Sequence, residues 1–259
     1  MTTDNTVSVT ANRRISPDFY EIEFDWQPDF GAPAPGQFFE LRVTEMTAPM
    51  LRRPYAFSGF DAEKGTAAMI YQVVGVSTDL LAKKQPGDEV KVLGPLGNTF
   101  GLGGQPDKVI AIAGGVGLGP ILYAAEEMQK AGTDVRFVAG FRNQDLIPDR
   151  DLWAGLENAT VCTDDGSEGF EGNVVDYLNT LSDEDLDGAR LLACGPMPML
   201  RACHAFADEK GLVCEVSVEE LMACGLGVCV GCVIETHTGD LVRVCTDGPI
   251  FESGDLAWT

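Results

Sequence analysis

Apolar and polar positions alternate in short segments over the first hundred residues. Such segments are "FYEIEF" at 19–24, "QFFELRV" at 37–43, "AAMIYQVV" at 67–74 and "DEVKVLG" at 88–94, the last after a Pro-Gly turn. Short strands punctuated by glycine and proline are typical of a small antiparallel barrel. The pattern therefore predicts an antiparallel β-barrel over residues 1–103.

The pattern changes after a glycine-rich linker at 101–108. Continuous apolar runs predict strands at 108–114, 134–140, 159–164 and 189–195, and helical stretches at 120–132, 172–181 and 196–211 alternate with them. Strands that alternate with helices form a parallel sheet in a doubly wound domain. We therefore expect an α/β domain over residues 104–210 and a small cysteine-rich domain over residues 211–259.

The charge balance limits the class of partner. The chain carries 40 acidic and 18 basic residues, a formal net charge of −22. This charge disfavours nucleic-acid binding, because Lys and Arg are needed to neutralise phosphates. It fits either solubility, including in a salty cytoplasm, or a partner with a basic surface.

The N-terminal segment lacks the apolar stretch of a signal peptide. The longest uncharged run, 109–125, contains four glycines and a proline, so it predicts a strand, loop and helix rather than a membrane span. We expect a cytoplasmic protein without membrane contact. Its eight cysteines are then expected to be reduced or bound to metal.

Four of the cysteines form a spaced cluster near the C-terminal end, Cys224-x4-Cys229-x2-Cys232-x12-Cys245. C-x4-C-x2-C followed by a distant cysteine is the plant-type [2Fe–2S] pattern. These four residues are therefore the predicted metal ligands. A four-thiolate zinc site and unligated structural cysteines are the alternatives, although zinc sites usually have two C-x2-C pairs.

The residues between the ligands support a cluster loop. Gly225, Gly227 and Gly231 are expected to take positive φ and to let the backbone approach inorganic sulfide. Met222, Leu226, Val228 and Val230 are expected to form an apolar sleeve that limits solvent access to the cluster.

Two glycine loops in the α/β domain predict a nucleotide crevice. "AGGVGLGP" at 113–120 joins a strand to a helix, where backbone N–H groups and close approach suit a diphosphate. "CGP" at 194–196 follows a later parallel strand, so both loops are expected at the same sheet edge. Ordinary strand–helix packing is the alternative. The candidate binding residues are Gly114, Gly115, Gly117, Gly119, Cys194, Gly195 and Pro196.

Two further features of this domain leave alternatives open. Asp164 and Asp165, in "TDDGS", fit either a cap on the next element or a hydrogen bond to a ribose. Arg142 fits either contact with an adenosine 2′-phosphate or a solvated surface position.

A flavin site is the hypothesis for "RRPYAFSG" at 52–59. The planar guanidinium of arginine suits phosphate, and Tyr55 suits stacking on a flavin ring. Ser77 and Thr78 follow a strand, where hydroxyls and amides can receive a diphosphate. A surface arginine pair and a core tyrosine are the alternatives.

Taken in order, these motifs resemble the ferredoxin–NADP reductase superfamily. The motifs are R-P-x-x, G-x-x-T, G-P-L-G-N, A-G-G-V-G-x-G-P, T-D-D-G-S, C-G-P and the cysteine loop. Within that superfamily, "TDDGSEGFEGNVVD", "ELMACGLGVCVGC" and "VCTDGPIF" resemble the electron-transfer subunits of class 1B dihydroorotate dehydrogenase. The resemblance covers nearly the whole chain.

The resemblance implies an FAD-binding barrel, an NAD(H) domain and a [2Fe–2S] domain. FAD would be lined by Arg53, Pro54, Tyr55, Ala56, Ile70, Tyr71 and Gln72, with Ser77 and Thr78 at its diphosphate. The superfamily usually has Ser or Thr where this chain has Ala56, and Gly where it has Ser77. The flavin therefore loses one hydroxyl contact relative to the superfamily pattern.

The resemblance also implies a division of labour. An FMN-containing catalytic subunit oxidises dihydroorotate, and this chain carries the electrons through cluster and FAD to NAD⁺, in a heterotetramer of two of each chain. The chain contains only two histidines, His204 and His237, both expected to be structural or solvated, and no catalytic residue is expected. Flavin and iron–sulfur subunits of NADH-dependent ferredoxin:NADP⁺ reductases, sulfide dehydrogenases and cytoplasmic hydrogenases share most of the motifs and remain alternatives, as does a zinc-binding interaction module. NAD rather than NADP is expected from the resemblance only.

Overall fold

The structure, a computed structural model, describes residues 3–104 and 106–258. The N-terminal region forms seven strands and one short helix. They are β1 (Thr3–Arg14), β2 (Phe19–Asp25), β3 (Phe38–Arg42), β4 (Arg53–Ala56), β5 (Gly59–Asp61), β6 (Thr66–Gln72), α1 (Val76–Leu81) and β7 (Glu89–Leu96). The expected strands are therefore present, each within a few residues of its predicted bounds.

These strands form one antiparallel sheet in the order β4-β3-β7-β1-β2-β6-β5. The sheet curves around a single aromatic core, in which Trp26 and Phe57 pack edge to face with their rings 5.1 Å apart and Phe39 packs against Phe57 at a tilt. No ladder joins the edge strands β4 and β5 within the described residues, so the sheet is barrel-like but not closed. The antiparallel architecture is confirmed, with this qualification.

The second sheet has the predicted parallel, doubly wound form. Its strands are β8 (Lys108–Gly114), β9 (Asp134–Phe141), β10 (Asn158–Thr163), β11 (Phe170–Glu171), β12 (Ala189–Cys194), β13 (Cys214–Ser217) and β16 (Ile250–Glu252), in the order β11-β10-β9-β8-β12-β13-β16. The helices are α2 (Leu118–Lys130), α3 (Val174–Leu178), α4 (Asp183–Leu186) and α5 (Met197–Lys210). Helix α2 packs on one face and α3 and α5 on the other, which gives the two apolar cores of a doubly wound sheet.

The C-terminal region continues this sheet. Strand β13 pairs in parallel with β12, and β16 adds an antiparallel edge strand. Between them lie the cysteine loop and a hairpin of β14 (Val233–Glu235) and β15 (Leu241–Arg243). The boundary at 210/211 remains a prediction, but the tail shares a sheet with the α/β domain.

Buried polar contacts fix the linker to the second sheet. Fully buried Glu215 on β13 accepts a hydrogen bond from the Gly101 backbone N–H (2.7 Å) and pairs with Arg190 (2.8 Å). Asn98, at the end of β7, bonds both the N–H and the carbonyl of Ile250 (2.9 and 2.8 Å). A buried charge that is paired and hydrogen-bonded in this way holds the barrel and the α/β sheet in one arrangement.

The surplus of 22 negative charges predicts salt-dependent stability. Raising KCl from about 0.1 M to about 1 M shortens the screening length from about 10 Å to about 3 Å, so self-repulsion in the folded state weakens. We expect the melting temperature to rise by roughly 5 °C or more, equivalent to about 1–2 kcal/mol for a chain of this size. Differential scanning fluorimetry measures this, with an uncharged solute at equal osmolality as the control. An unchanged or lower melting temperature in KCl contradicts the prediction.

Candidate cofactor sites

The hairpin brings two of the four clustered cysteines together. Its register pairs Val233 with Arg243, and the Val244 N–H donates to the Cys232 carbonyl (2.9 Å). Cys232 precedes β14 and Cys245 follows β15, so both lie at the open end of the hairpin, side by side. Both are buried. Burial and the adjacent Cys232 thiol raise the pKa of Cys245 to about 11, although the Gly227 N–H (3.2 Å from Sγ) opposes the rise.

The other two cysteines form a second pair on the loop after β13. Burial disfavours ionisation of Cys224, but N–H groups of Leu226, Cys229 and Val228 and the Cys229 thiol outweigh it and lower its pKa to about 6. The Leu226 nitrogen lies 3.4 Å from the Cys224 Sγ. Backbone donors directed at sulfur are the arrangement that stabilises thiolate ligands and tunes a cluster.

The four clustered cysteines form two neighbouring pairs, Cys224 with Cys229 and Cys232 with Cys245. A tetrahedral zinc site requires four thiolates around one ion, whereas a [2Fe–2S] cluster takes two thiolates on each of two irons. The donor set and its grouping therefore fit the [2Fe–2S] cluster.

The loop differs from two sequence-based expectations. Gly225 and Gly227 have positive φ (66° and 75°), but Gly231 does not, and Val230 takes the left-handed conformation instead (φ 59°). The prediction that four apolar side chains shield the cluster from solvent is wrong for the chain alone. Three of the four point outward, because Leu226, Val228 and Val230 are 47%, 79% and 60% exposed. The hairpin buries Cys232 and Cys245, and Cys229 is exposed.

The two glycine loops of the α/β domain meet at the carboxyl ends of β8 and β12. A β-carbon on Gly117 would collide with the Cys194 carbonyl, and one on Gly195 would lie 3.0 Å from the Gly114 α-carbon. Gly115 has positive φ (55°) in the turn before α2. Pro196 packs against the same turn, its Cδ lying 3.1 Å from the position of a β-carbon on Gly114. Gly114, Gly117 and Gly195 are therefore needed for the two loops to pack together, as the packing alternative expects. At Gly115 nothing lies within 4 Å of a β-carbon, so the backbone there is open to a diphosphate.

Three other residues of this domain have defined surroundings. Burial raises the pKa of Cys194 to about 12, so its thiol is neutral beside the crevice. Asp165 accepts hydrogen bonds from the N–H and hydroxyl of Ser167 (3.0 and 2.6 Å) within its own turn, whereas Asn173 caps the next helix. Gly119 faces the barrel, because a β-carbon there would lie 3.2 Å from the Ser58 β-carbon.

The predicted flavin residues lie on β4, β6 and α1. Tyr55 on β4 lies beside Ser77, and burial raises the pKa of Tyr55 to about 12. Tyr71 on β6 is buried in the barrel core and donates to the Asn12 side chain (3.1 Å). Arg53 is exposed and donates to the Leu51 carbonyl (2.8 Å). The structure therefore brings Tyr55 and Ser77 together and turns the Tyr71 ring away from the surface.

The helix α1 changes the role expected of Thr78. Ser77 and Thr78 lie in the first turn of a helix, not at the end of a strand, because β6 ends at Gln72. The Thr78 hydroxyl accepts from the N–H groups of Val74 and Gly75 (3.0 and 3.1 Å). It therefore shapes the N-terminal turn of this helix, and Ser77 is the more exposed of the two hydroxyls.

Comparison with known proteins assigns the family. Residues 219–257 match a family model described as the iron-sulfur cluster binding domain of dihydroorotate dehydrogenase B, and residues 111–205 match an oxidoreductase NAD-binding domain. The chain is 36% identical over 254 residues to the dihydroorotate dehydrogenase B (NAD(+)) electron transfer subunit of Bacillus caldolyticus, covering 96% of this chain and 97% of that one. The chain belongs to the family of dihydroorotate dehydrogenase B electron transfer subunits.

Other relatives agree with this assignment. The electron transfer subunit of Desulforamulus reducens is 34% identical, with 96% of this chain and 97% of that one covered. Among solved structures, one of an NADH-dependent reduced ferredoxin-NADP oxidoreductase, studied for flavin-based electron bifurcation, superposes with a TM-score of 0.86. It has 28% identity and covers 97% of this chain and 90% of that chain. A ferredoxin NADP⁺ reductase from Neisseria gonorrhoeae shares the fold, with a TM-score of 0.69, 17% identity and coverage of 80% and 92%.

Family membership confirms the class and the cofactors. The chain is an electron-transfer oxidoreductase subunit, and FAD, an iron–sulfur cluster and NAD(H) are its cofactors, as expected. No helix in the described ranges is long and apolar enough to cross a membrane. The individual binding residues remain predictions, supported by the geometry above.

The sequence pattern did not identify one buried acid, Glu40, as a candidate functional residue. Glu40 on β3 is fully buried, and neither carboxyl oxygen has a hydrogen-bond partner among the described residues. Burial raises the pKa of Glu40 to about 7; the charge of Cys224 adds to the rise, and Arg52 and Arg53 oppose it. The available signal was a single acidic residue inside the apolar strand "QFFELRV".

Proposed function

We propose that this chain carries electrons from an FMN-containing subunit, which oxidises dihydroorotate to orotate, to NAD⁺. The observation that carries the proposal is that the barrel contacts both of the other sites. Cys224 and its loop rest on the outer face of β3, where Gly225 contacts Glu40. Strand β3 pairs with β4, the strand of the flavin candidates. At the start of α2, Gly119 packs against Ser58 and Ile70 of the barrel, so the flavin candidates lie near both the cysteine loop and the glycine loop that precedes α2.

The residues have separate roles in this proposal. The four clustered cysteines hold the [2Fe–2S] cluster, and N–H groups of the loop stabilise their thiolates. Tyr55 and Ser77 orient the flavin beside β4, while the loop of Gly114 to Gly117, open at Gly115, receives the nucleotide diphosphate beside Gly195. FAD exchanges hydride with NAD and single electrons with a cluster, so it links the two.

The test separates this chain from its partner. We expect dihydroorotate and NAD⁺ to give no NADH with this chain alone and to give NADH once the FMN subunit is added. Absorbance at the NADH band measures the reaction, and NADH-driven reduction of an artificial dye shows that the chain alone is intact. Dihydroorotate-driven NADH formation by the isolated chain would refute the division of labour.

The exposed apolar tips of the cysteine loop support a partner surface. Val228 and Val230 are among the most exposed apolar side chains, and they flank Cys229. Val230 also holds a left-handed conformation that is unfavourable for a branched residue, which indicates that the loop shape is imposed by function. We propose that the FMN subunit covers this surface in an assembly of two of each chain. The cytoplasm is the proposed location, since thiolate ligands need a reducing compartment.

An aspartate substitution tests this surface. We expect Val228→Asp to weaken binding of the FMN subunit by about tenfold, because a charge then has to be buried at an apolar contact. Val213→Asp is the matched control, since Val213 is also exposed but precedes β13 at the opposite end of that strand. Biolayer interferometry gives both affinities. Equal affinities for the two variants contradict the proposed surface.

A second function is favoured by one structural neighbour. The likeness to the NADH-dependent reduced ferredoxin-NADP oxidoreductase covers 97% of this chain. A ferredoxin-linked role predicts electron exchange with reduced ferredoxin and NADP⁺ and co-purification with a different large subunit. Parallel assays with dihydroorotate and with reduced ferredoxin, each with NAD⁺ and NADP⁺, distinguish the two functions.

A further inference from the structure

Glu40 lies at the contact between the barrel and the cysteine loop. Its neighbours Phe39 and Leu41 point into the barrel core, so Glu40 points to the opposite face of β3. There the loop covers it: a β-carbon on Gly225 would lie 2.8 Å from the Glu40 Cγ and 3.2 Å from Oε1. Only glycine allows the loop to approach the carboxyl this closely.

The same face of β3 is continuous with the core under the cluster ligands. Phe38, two residues before Glu40, packs in one apolar core with Leu96, Cys232 and Cys245. On the other side, Glu40 is opposite Pro54 in the ladder between β3 and β4. The carboxyl therefore lies buried between the flavin strand and the cysteine loop, where the charges of Arg52 and Arg53 also act on it.

This position is unfavourable for a carboxyl that has only a structural role. Among the described residues, both carboxyl oxygens lack a hydrogen-bond donor. The charge of Arg52 favours the ionised carboxyl, and one Arg52 nitrogen donates to the Lys91 carbonyl (3.3 Å). Buried acids without partners destabilise a fold and occur preferentially at functional sites.

We propose that Glu40 is a positioning residue whose carboxylate lowers the reduction potential of the cluster held by Cys224 and its partners. The inference rests on the proposed function, since it needs that cluster. A negative charge in a low-dielectric contact opposes the addition of an electron nearby. A cluster held there would be a stronger electron donor to the flavin.

Replacing the carboxyl by an amide of the same shape tests the charge alone. The full chain, loaded with FAD and the cluster, is titrated electrochemically in alkaline buffer, and the cluster is followed by electron paramagnetic resonance. Glu40→Gln is expected to shift the cluster midpoint to a more positive potential. Glu40→Asp, which keeps the charge, and Glu63→Gln, which removes an exposed acid from the distant β5–β6 turn, are expected to leave it near the wild-type value.

The outcomes distinguish a failure of the role of Glu40 from a failure of the proposed function. A cluster that is present in Glu40→Gln with an unshifted midpoint overturns the role of Glu40 and leaves the proposed function standing. A wild-type chain that binds no iron overturns both. Glu40→Met, which is apolar and of similar volume, is expected to give the same positive shift of the cluster midpoint. It is the variant to use if Glu40→Gln does not hold the cluster. An unshifted midpoint in Glu40→Met also overturns the inference.

Discussion

Replacing Cys229 by serine is expected to remove the [2Fe–2S] cluster and to stop electron flow from the FMN subunit to NAD⁺. Cys229 is the exposed member of the four, so the substitution removes a ligand without leaving a hole in the core. Loss of residues that merely support a ligand weakens metal sites by about 10–100-fold, so loss of the ligand itself is expected to lower dihydroorotate-driven NADH formation by more than about 100-fold.

The experiment measures the cluster, the flavin and the nucleotide site separately. Iron content and the paramagnetic signal of the reduced cluster should disappear, while flavin content stays. NADH-driven reduction of an artificial dye, which needs only the flavin and the nucleotide crevice, should stay within about twofold of wild type. Cys162→Ala is the control, because Cys162 is a buried thiol on β10, away from the loop. A Cys229→Ser complex that retains both iron and NADH formation would show that the ligand set is wrong.

Most of the architecture could be predicted because it depends on local periodicity. Alternation in the first hundred residues and continuous apolar runs in the next hundred identify antiparallel and parallel strands respectively. The sequence pattern placed Ser77 and Thr78 at the end of a strand, but they lie in helix α1, and the reason is local. The chain leaves β6 at Gln72 and turns into α1, because the Thr78 hydroxyl accepts hydrogen bonds from the backbone before the helix. No spacing rule distinguishes that turn from a strand end.

The remaining features depend on contacts that are distant in sequence. Strand β16 pairs with β13 in the α/β sheet, and Asn98, about 150 residues earlier, bonds both the N–H and the carbonyl of Ile250. The outward direction of Val228 and Val230 follows from the turn geometry of the loop, which the pattern of apolar residues does not contain. Glu40 is notable only because the cysteine loop lies over it.

The cysteine spacing, by contrast, was informative by itself. Four thiols can ligate two irons only if the loop and the hairpin place them in pairs, and the spacing x4, x2 and x12 allows this. The resemblance then identified the family, which the relatives confirm. The spacing did not indicate which thiols are buried, because the β14–β15 hairpin determines that.

Gly117→Ala is expected to weaken NADH binding by about 30-fold or more. A β-carbon at this position would collide with the Cys194 carbonyl and lie 2.8 Å from the Gly195 nitrogen, so the two loops must separate. Overpacking of this kind typically costs about 1–3 kcal/mol, and 2 kcal/mol of lost binding corresponds to about 30-fold in affinity. Isothermal titration with NADH measures the change.

The same substitution should leave the rest of the electron path intact, because the atoms nearest to its added carbon belong to Cys194 and Gly195 of the other glycine loop. In the complex, dihydroorotate-driven reduction of an artificial acceptor should therefore remain near wild type while NAD⁺ reduction falls. Gly155→Ala is the matched control, since a β-carbon there meets no atom within 4 Å. If Gly117→Ala binds NADH as tightly as Gly155→Ala does, the meeting point of the two glycine loops is not the nucleotide site, and the end of the electron path has to lie elsewhere on the sheet.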